Sequence, residues 1–177
     1  MTGIRSMWAV GGALGLCLAV AGVALHAEPS PTAETLVDER PESDLSYTAW
    51  VDSNKRFKCL YGYAADKTGD HEAAIRIFED CIDRWEDVYS MIWLAQILEN
   101  GQGGPNGVER ATALMKRGAA HPDTSGYATL ARYHYGMALL SGHGVEKDET
   151  GARRWLERAA REGLPEAQEQ LDRMAEH

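Results

Sequence analysis

Lys67-Thr68-Gly69 is a triplet with a chemical precedent in this 177-residue chain. Serine enzymes that acylate a Ser placed three residues before a Lys carry such an element on a strand beside their site. None of Ser46, Ser53, Ser90, Ser125 or Ser141 has a lysine at that distance, and Ser53 has Arg56 there. The triplet also falls between two helical stretches, so the match is accidental. GQGGPNG (Gly101 to Gly107) has the glycine content of a phosphate loop, but no Lys-Ser/Thr follows it and Pro105 removes a backbone donor. It reads as an elongated turn. His71, His121, His134, His143 and His177 never stand at the roughly three-to-five spacing by which a helix presents two metal ligands. No metal and no other cofactor is expected. Carboxylates are dense at Glu79-Asp80, Asp83 and Glu86-Asp87, where the reading is a solvated helix face rather than a catalytic pair. These residues spell out no reaction, and the chain is expected to be non-catalytic.

Cysteine chemistry depends on the compartment. The chain opens MTGIRSMWAVGGALGLCLAVAGVALHAEPSP, with Arg5 ahead of an uncharged apolar run from Met7 to Leu25 and small residues before a Pro-containing exit. That is the layout of a secretory signal peptide over residues 1–27. Cleavage is expected after Ala27, with Ala24 as the second choice and an uncleaved anchor as the competing reading. Four glycines in the run and the small residues at its end favour cleavage. Cys17 follows Leu14-Gly15-Leu16, without the small residue that a lipid-attachment site needs just before the Cys, and is a bystander. Cleavage after Ala27 leaves 150 residues, net charge −10, and two cysteines, Cys59 and Cys81. An even count in an exported chain suits one disulfide, and two buried free thiols are the alternative.

Glu28 to Asp44 holds Pro29, Pro31, Pro41, six acidic residues and one Arg. Such a stretch buries too little to offset its ordering entropy, so residues 28–45 are expected to form a mobile linker. The acidic balance argues against nucleic acid and anionic membrane surfaces, both of which call for a basic face.

From about residue 46 the sequence reads as short amphipathic helices punctuated by Gly and Pro. MIWLAQILENGQG (Met91 to Gly103) aligns with RYHYGMALLSGHG (Arg132 to Gly144) at an offset of 41. Ala95 then falls on Gly136, Leu98 on Leu139, Ala111 on Ala152 and Leu114 on Trp155. This is the pattern of antiparallel helix pairs. Small residues let the second helix approach the first, and Gly101, Gly103, Gly142 and Gly144 are assigned the positive φ that ends helix A. An earlier unit places Gly62 on helix A and Ala74 and Phe78 on helix B, with a turn four residues shorter. One pair cannot cover its own apolar face, so neighbours must stack into a solenoid.

YGMALLSGHGVEKDETGARRWLERAAREGLPEAQEQL (Tyr135 to Leu171) resembles a Sel-one-like repeat, a relative of the tetratricopeptide repeat with a longer glycine-containing turn. The copy from Met91 to Ala120 is weaker, with Pro122 in place of the closing Gly, and the copy from Gly62 to Cys81 is closer to the tetratricopeptide pattern. The resemblance implies an all-α superhelical solenoid over residues 46–177. It would have three repeats at about 50–84, 87–120 and 126–162 and a cap at 165–175, about seven helices in all. Some exported relatives staple their helix pairs with cysteines. That adds weight to a Cys59–Cys81 bridge, although Cys59 on helix A has the groove as its other direction.

Such repeats build scaffolds and adaptors, often in bacterial envelopes, and bind a partner in a concave face. Tetratricopeptide geometry puts Arg56, Cys59, Tyr63 and Asp66 of the first unit on that face. Tyr89, Ile92, Gln96 and Glu99 follow in the second, and Leu130, Tyr133, Met137 and Leu140 in the third. Burial of Ile92, Leu130, Met137 and Leu140 against neighbouring helices is the competing placement. The expectation is a monomeric, non-catalytic periplasmic protein that binds a protein partner, as an adaptor or as a dedicated inhibitor or immunity protein. An envelope-acting hydrolase, β-lactamase-like or peptidoglycan-related, is the alternative.

Overall fold

The structure is a computed structural model that describes residues 46–176; the expected signal peptide and linker lie outside the described residues. Eight α-helices follow one another, with no strand among the described residues. They are α1 (Tyr47–Val51), α2 (Lys58–Lys67), α3 (His71–Trp85), α4 (Val88–Ile97), α5 (Gly107–Ala120), α6 (Gly126–Ser141), α7 (Glu149–Arg161) and α8 (Pro165–Ala175). The sequence pattern anticipates about seven. The additional one is the five-residue α1, too short to show a helical period and started by the Ser46 side chain, which accepts from the Ala49 N–H at 3.3 Å.

Local signals start most of the others. Asp70, Asp87 and Asp148 each accept a hydrogen bond from the backbone N–H three residues on, which opens α3, α4 and α7. Pro165 opens α8, where its missing N–H costs nothing. α4 and α6 are apolar on most sides because each packs between two B helices and the neighbouring A helices. α3, α5 and α7 keep one apolar stripe and a charged outer side. The A helices α2, α4 and α6 touch in sequence, whereas α3, α5 and α7 meet one another far less, so the A helices form the inner side of the stack of pairs.

Small residues set the distance within each pair. Ala95, Ala111 and Ala152 are fully buried. A Cβ at Gly136 would stand 3.0 Å from Leu156 Cγ and 3.4 Å from the Ala152 carbonyl oxygen, so Gly136 and Ala152 lie in direct apposition. At Gly62 a Cβ would meet the Phe78 ring at 2.6 Å. The long turn after α4 corrects one assignment. The chain widens into a π-helical turn at Leu98–Gln102 that breaks at Gly101 (φ 97°), and Gly104 (φ 65°) turns it into a short 3-10 segment. Gly103 has φ −87°; its glycine is required by contact, because a Cβ there would fall 2.5 Å from Gly107 Cα.

Two buried cations close the joints. Arg132, fully buried, donates to the carbonyl oxygens of Ala119 (3.1 Å), His121 (2.6 Å) and Asp123 (2.8 Å), and to Glu162 Oε2 (2.6 Å). It serves the orphan carbonyls after α5, where Pro122 stands in place of the glycine that ends α7 as Gly163 (φ 96°). Lys58, also fully buried, bonds the Val51 carbonyl and Asp80 and lies 5.7 Å from the centre of the Trp85 ring. Next to it Cys59 and Cys81 form a disulfide with Cα atoms 6.0 Å apart, at the centre of a small core with Val51 and Ile77.

Replacing both cysteines by alanine should cost roughly 3 kcal/mol in the chain-entropy account of a loop of this length, read as a lower urea midpoint. Gly62→Ala should destabilise by about 1–3 kcal/mol through overpacking. Adding Phe78→Leu should recover part of that loss, because it removes the ring edge that the new methyl strikes.

Candidate functional site

The large exposed hydrophobic side chains among the described residues are Phe57 (58% exposed), Leu60 (54%), Tyr63 (38%) and Tyr127 (46%), and they share the A-helix side. Phe57, Leu60 and Tyr127, with Arg56 and Tyr89, wall a hollow of about 1030 Å³ where α2, α4 and α6 begin. Behind it the aromatic rings form a chain across three A helices. Tyr63 meets Trp93 at 4.6 Å between ring centres, Trp93 meets Tyr89 at 6.2 Å, and Tyr89 meets Tyr127 at 5.1 Å, all edge-to-face. That geometry sets positive ring edges on negative faces. Lys67 Nζ lies over the Tyr63 and Trp93 rings, 5.3 and 5.1 Å from their centres. Burial, then the neighbouring Tyr127, Tyr63 and Asp87, push the Tyr89 hydroxyl up to about 12, so it stays neutral.

Charge at the rim is mostly paired. Asp87 caps α4 through Oδ2, accepting from the Ser90 N–H at 3.0 Å and Ser90 Oγ at 2.6 Å, and its Oδ1 accepts from Arg56 at 3.1 Å. Two smaller hollows continue along the same side. One of about 180 Å³ is walled by Ile92, Gln96, Leu130 and His134, and one of about 220 Å³ by Glu99, Met137 and His143. His143 Nε2 lies 3.6 Å from Glu99 Oε1. Desolvation holds the His134 imidazole below its ordinary pKa, against the pull of Glu99.

The residues expected on the face are thus distributed. Arg56 and Tyr89 wall the large hollow, Tyr63 stands on the aromatic chain, and Gln96, Glu99 and Met137 wall the smaller hollows. Tyr133 packs with Met137 against the Leu156–Ala159–Ala167 cluster of α7 and α8, and it walls none of these three hollows. Asp66 is drawn to the turn by Lys67 and His71, each at 2.9 Å. Cys59 takes both of its open directions, bonded to Cys81 and lining the large hollow. Ile92 is buried, and Leu130 and Leu140 pack on the main core.

Phe57, Leu60, Trp93 and Tyr127 were not among the anticipated positions. Phe57, Leu60 and Tyr63 stand at i, i+3, i+6, a helical-face spacing readable in the sequence. Tyr127 lies nine residues before Gly136, one turn beyond the stretch that the tetratricopeptide count covers.

The Sel1 repeat family matches residues 88–123 and 129–164. Residues 88–164 thus carry two Sel1 repeats. The matched stretches begin 41 residues apart, the offset of the internal repeat, and correspond to α4–α5 and α6–α7. The pair α2–α3 and the cap α8 extend the Sel1 stack at its two ends. No curated protein and no solved structure matches the chain. Sel1 repeats suggest a protein-interaction scaffold. The large hollow of its A-helix face offers apolar edges and the neutral Tyr89 hydroxyl.

The ion pairs set an acid limit on this Sel1 stack. Burial opposes ionisation of Asp80 and Glu162, but hydrogen bonds to Asp80 from Lys58 and Arg84, and to Glu162 from Thr129, Arg132 and Arg158, hold both carboxyls below their ordinary range. A folded-state pKa below the unfolded value adds stability above the unfolded pKa and loses it as pH falls through the folded one. The urea midpoint should therefore hold near neutrality and drop below about pH 4, and Glu162→Gln should flatten that drop.

Proposed function

We propose that this chain is a non-catalytic, exported protein that works in the periplasm by holding a protein partner on its A-helix face. The observation that carries this reading is the gathering of Phe57, Leu60, Tyr63 and Tyr127 on one side, over a continuous chain of aromatic rings. Exposed aromatics in a preformed concavity are the usual anchors of protein recognition, since they bury large area at small entropic cost. The rings are braced by one another and by buried helices, so little ordering remains to be done on binding.

The non-catalytic part of the reading is supported by the carboxylates. Asp66, Asp80, Glu86 and Glu162 are all held below their ordinary range by hydrogen bonds from cations or by neighbouring donors. A general acid needs the opposite shift. Export is supported by the apolar leader and by the Cys59–Cys81 bridge, which persists in an oxidising compartment.

Within this reading the partner sets the role. One nanomolar partner fits a dedicated inhibitor, and several micromolar partners fit an adaptor. The test is affinity capture from envelope extract with the native chain and with a Leu60→Ser/Tyr127→Ser variant. Both side chains are exposed, so helix content should be unchanged. The expected result is capture reduced at least about tenfold in the variant and no nitrocefin turnover by either protein. Equal capture by both proteins would overturn the assignment of the face.

A further inference from the structure

The outer side, formed by the B helices, has its own pattern. α3 and α5 are joined by ion pairs that cross the repeat step: Arg110 donates to Glu79 at 3.2 Å, and Arg117 Nε to Glu86 Oε2 at 2.8 Å. The repeat register tells where the next pairs would fall. Ala74, Ala111 and Ala152 are the fully buried small residues of α3, α5 and α7, spaced by 37 and then 41 residues. The same shifts carry Glu79 to Lys116, Asp83 to Ala120, and Arg117 to Arg158. Asp123, the counterpart of Glu86, accepts from the Ser125 backbone N–H at 2.9 Å instead. Arg110 falls on Gly151, so of the two rungs one is missing on both sides and the other keeps its cation, Arg158, without the acid across from it.

What remains is a row of cations. Arg154, Arg158 and Arg161, with the Trp155 indole, line a hollow of about 330 Å³ on α7. Arg154 makes no ion pair among the described residues, and Arg161 approaches Glu157 only to 4.0 Å with its side chain 70% exposed. Arg158 lies 6.0 Å from the centre of the Trp155 ring. Its Nε donates to Glu162, a carboxylate already engaged by Arg132 and Thr129. α7 carries four arginines against two glutamates in a chain whose formal net charge is −9. Arg154 and Arg158 also stand i, i+4, a like-charge spacing that weakens a helix. Glu162 and Trp155 engage Arg158, but Arg154 gains no partner from the fold among the described residues, and a bound anion would supply one.

We propose that the arginine row of α7 is a docking site for an acidic segment of a partner protein. Guanidinium forks pair with carboxylates in a bidentate fashion, and the flat indole supplies an apolar floor. Arg154 to Arg161 span about 10 Å at the rise of a helix. That length matches carboxylates on successive turns of a helix or on alternate residues of an extended segment. Anionic lipid is the other source of such charge. A membrane surface meets the field of the whole acidic chain and is repelled by it, whereas a short segment meets only the local cations. This site lies on the other set of helices from the aromatic face and does not rest on the function proposed for it.

The experiment uses fluorescein-labelled hexaglutamate as the probe on the full chain, with hexalysine and phosphatidylglycerol vesicles as separate arms. Expected is saturable binding of hexaglutamate that weakens with added salt. Arg154→Glu/Arg161→Glu should lower it at least about tenfold, while Leu60→Ser/Tyr127→Ser leaves it unchanged. Dichroism checks that the variants fold, and Arg154→Gln/Arg161→Gln replaces the charge reversal should that one unfold. No saturable binding, binding that ignores the arginine changes, or arginine-dependent binding to vesicles but not to peptide would each overturn the proposal.

Discussion

The distance between the two helices of a pair governs the rest of the molecule. At Gly62, Ala95 and Gly136 the A helix presents almost no side chain, so its partner can come close enough for Phe78, Ala111, Ala152 and Leu156 to fill the gap. Close approach excludes water from the seam but narrows each pair, and a narrow pair leaves apolar residues uncovered on both flanks. Leu94, Leu98, Met115, Tyr135 and Leu139 are covered only because the next pair stacks on them, in a single core that runs from α2 to α7. Without close pairs there is no stack, and without the stack the A helices present no common side.

That constraint also decides where binding surface can exist. Side chains that face a pair's own seam or the next pair are spent on the core; some at the starts of α2 and α6 are not. Phe57, Leu60 and Tyr127 occupy those starts. The rings behind them, Tyr63, Trp93, Tyr89 and Tyr127, pass from one A helix to the next and so couple the repeats on the inner side as the small residues couple the helices within each pair. The outer side is left to charge, which joins α3 to α5 and fails to join α5 to α7 in the same way.

Much of the architecture was legible because it rests on spacing. The offset of 41 residues and the small positions at 95, 111, 136 and 152 follow from periodicity, parity favoured a Cys59–Cys81 bridge over two free thiols, and the structure contains each. Gly103 was misread because a glycine needed for contact and one needed for conformation look alike in sequence, and only the fold places Gly107 against it. Arg132 was invisible for a related reason. Its importance comes from the carbonyls of Ala119, His121 and Asp123 and from Glu162 thirty residues away, none of which a local pattern can associate with it. The aromatic face was half legible: its helix was identified, but counting positions from the small residue stopped one turn short of Tyr127.

The irregular unit explains why the face is open at one end. In the first pair the small residues Gly62 and Ala74 stand 12 apart, against 16 for Ala95 and Ala111; α2 and α4 are equally long, so the turn after α2 is the shorter one and needs no glycine-rich loop. Among the described residues the first pair has a neighbouring pair on one flank alone, and it is braced by covalent and ionic means: the Cys59–Cys81 bridge, the buried Lys58 and the brief α1 that packs over them. Because those devices hold α2 from the side of α3, its opposite side does not have to be covered. Phe57 and Leu60 remain exposed there while Lys58 and Cys59, their immediate neighbours, are among the more deeply buried residues of the fold. The same few residues thus brace the end repeat and free its outer edge to become a wall of the hollow of about 1030 Å³.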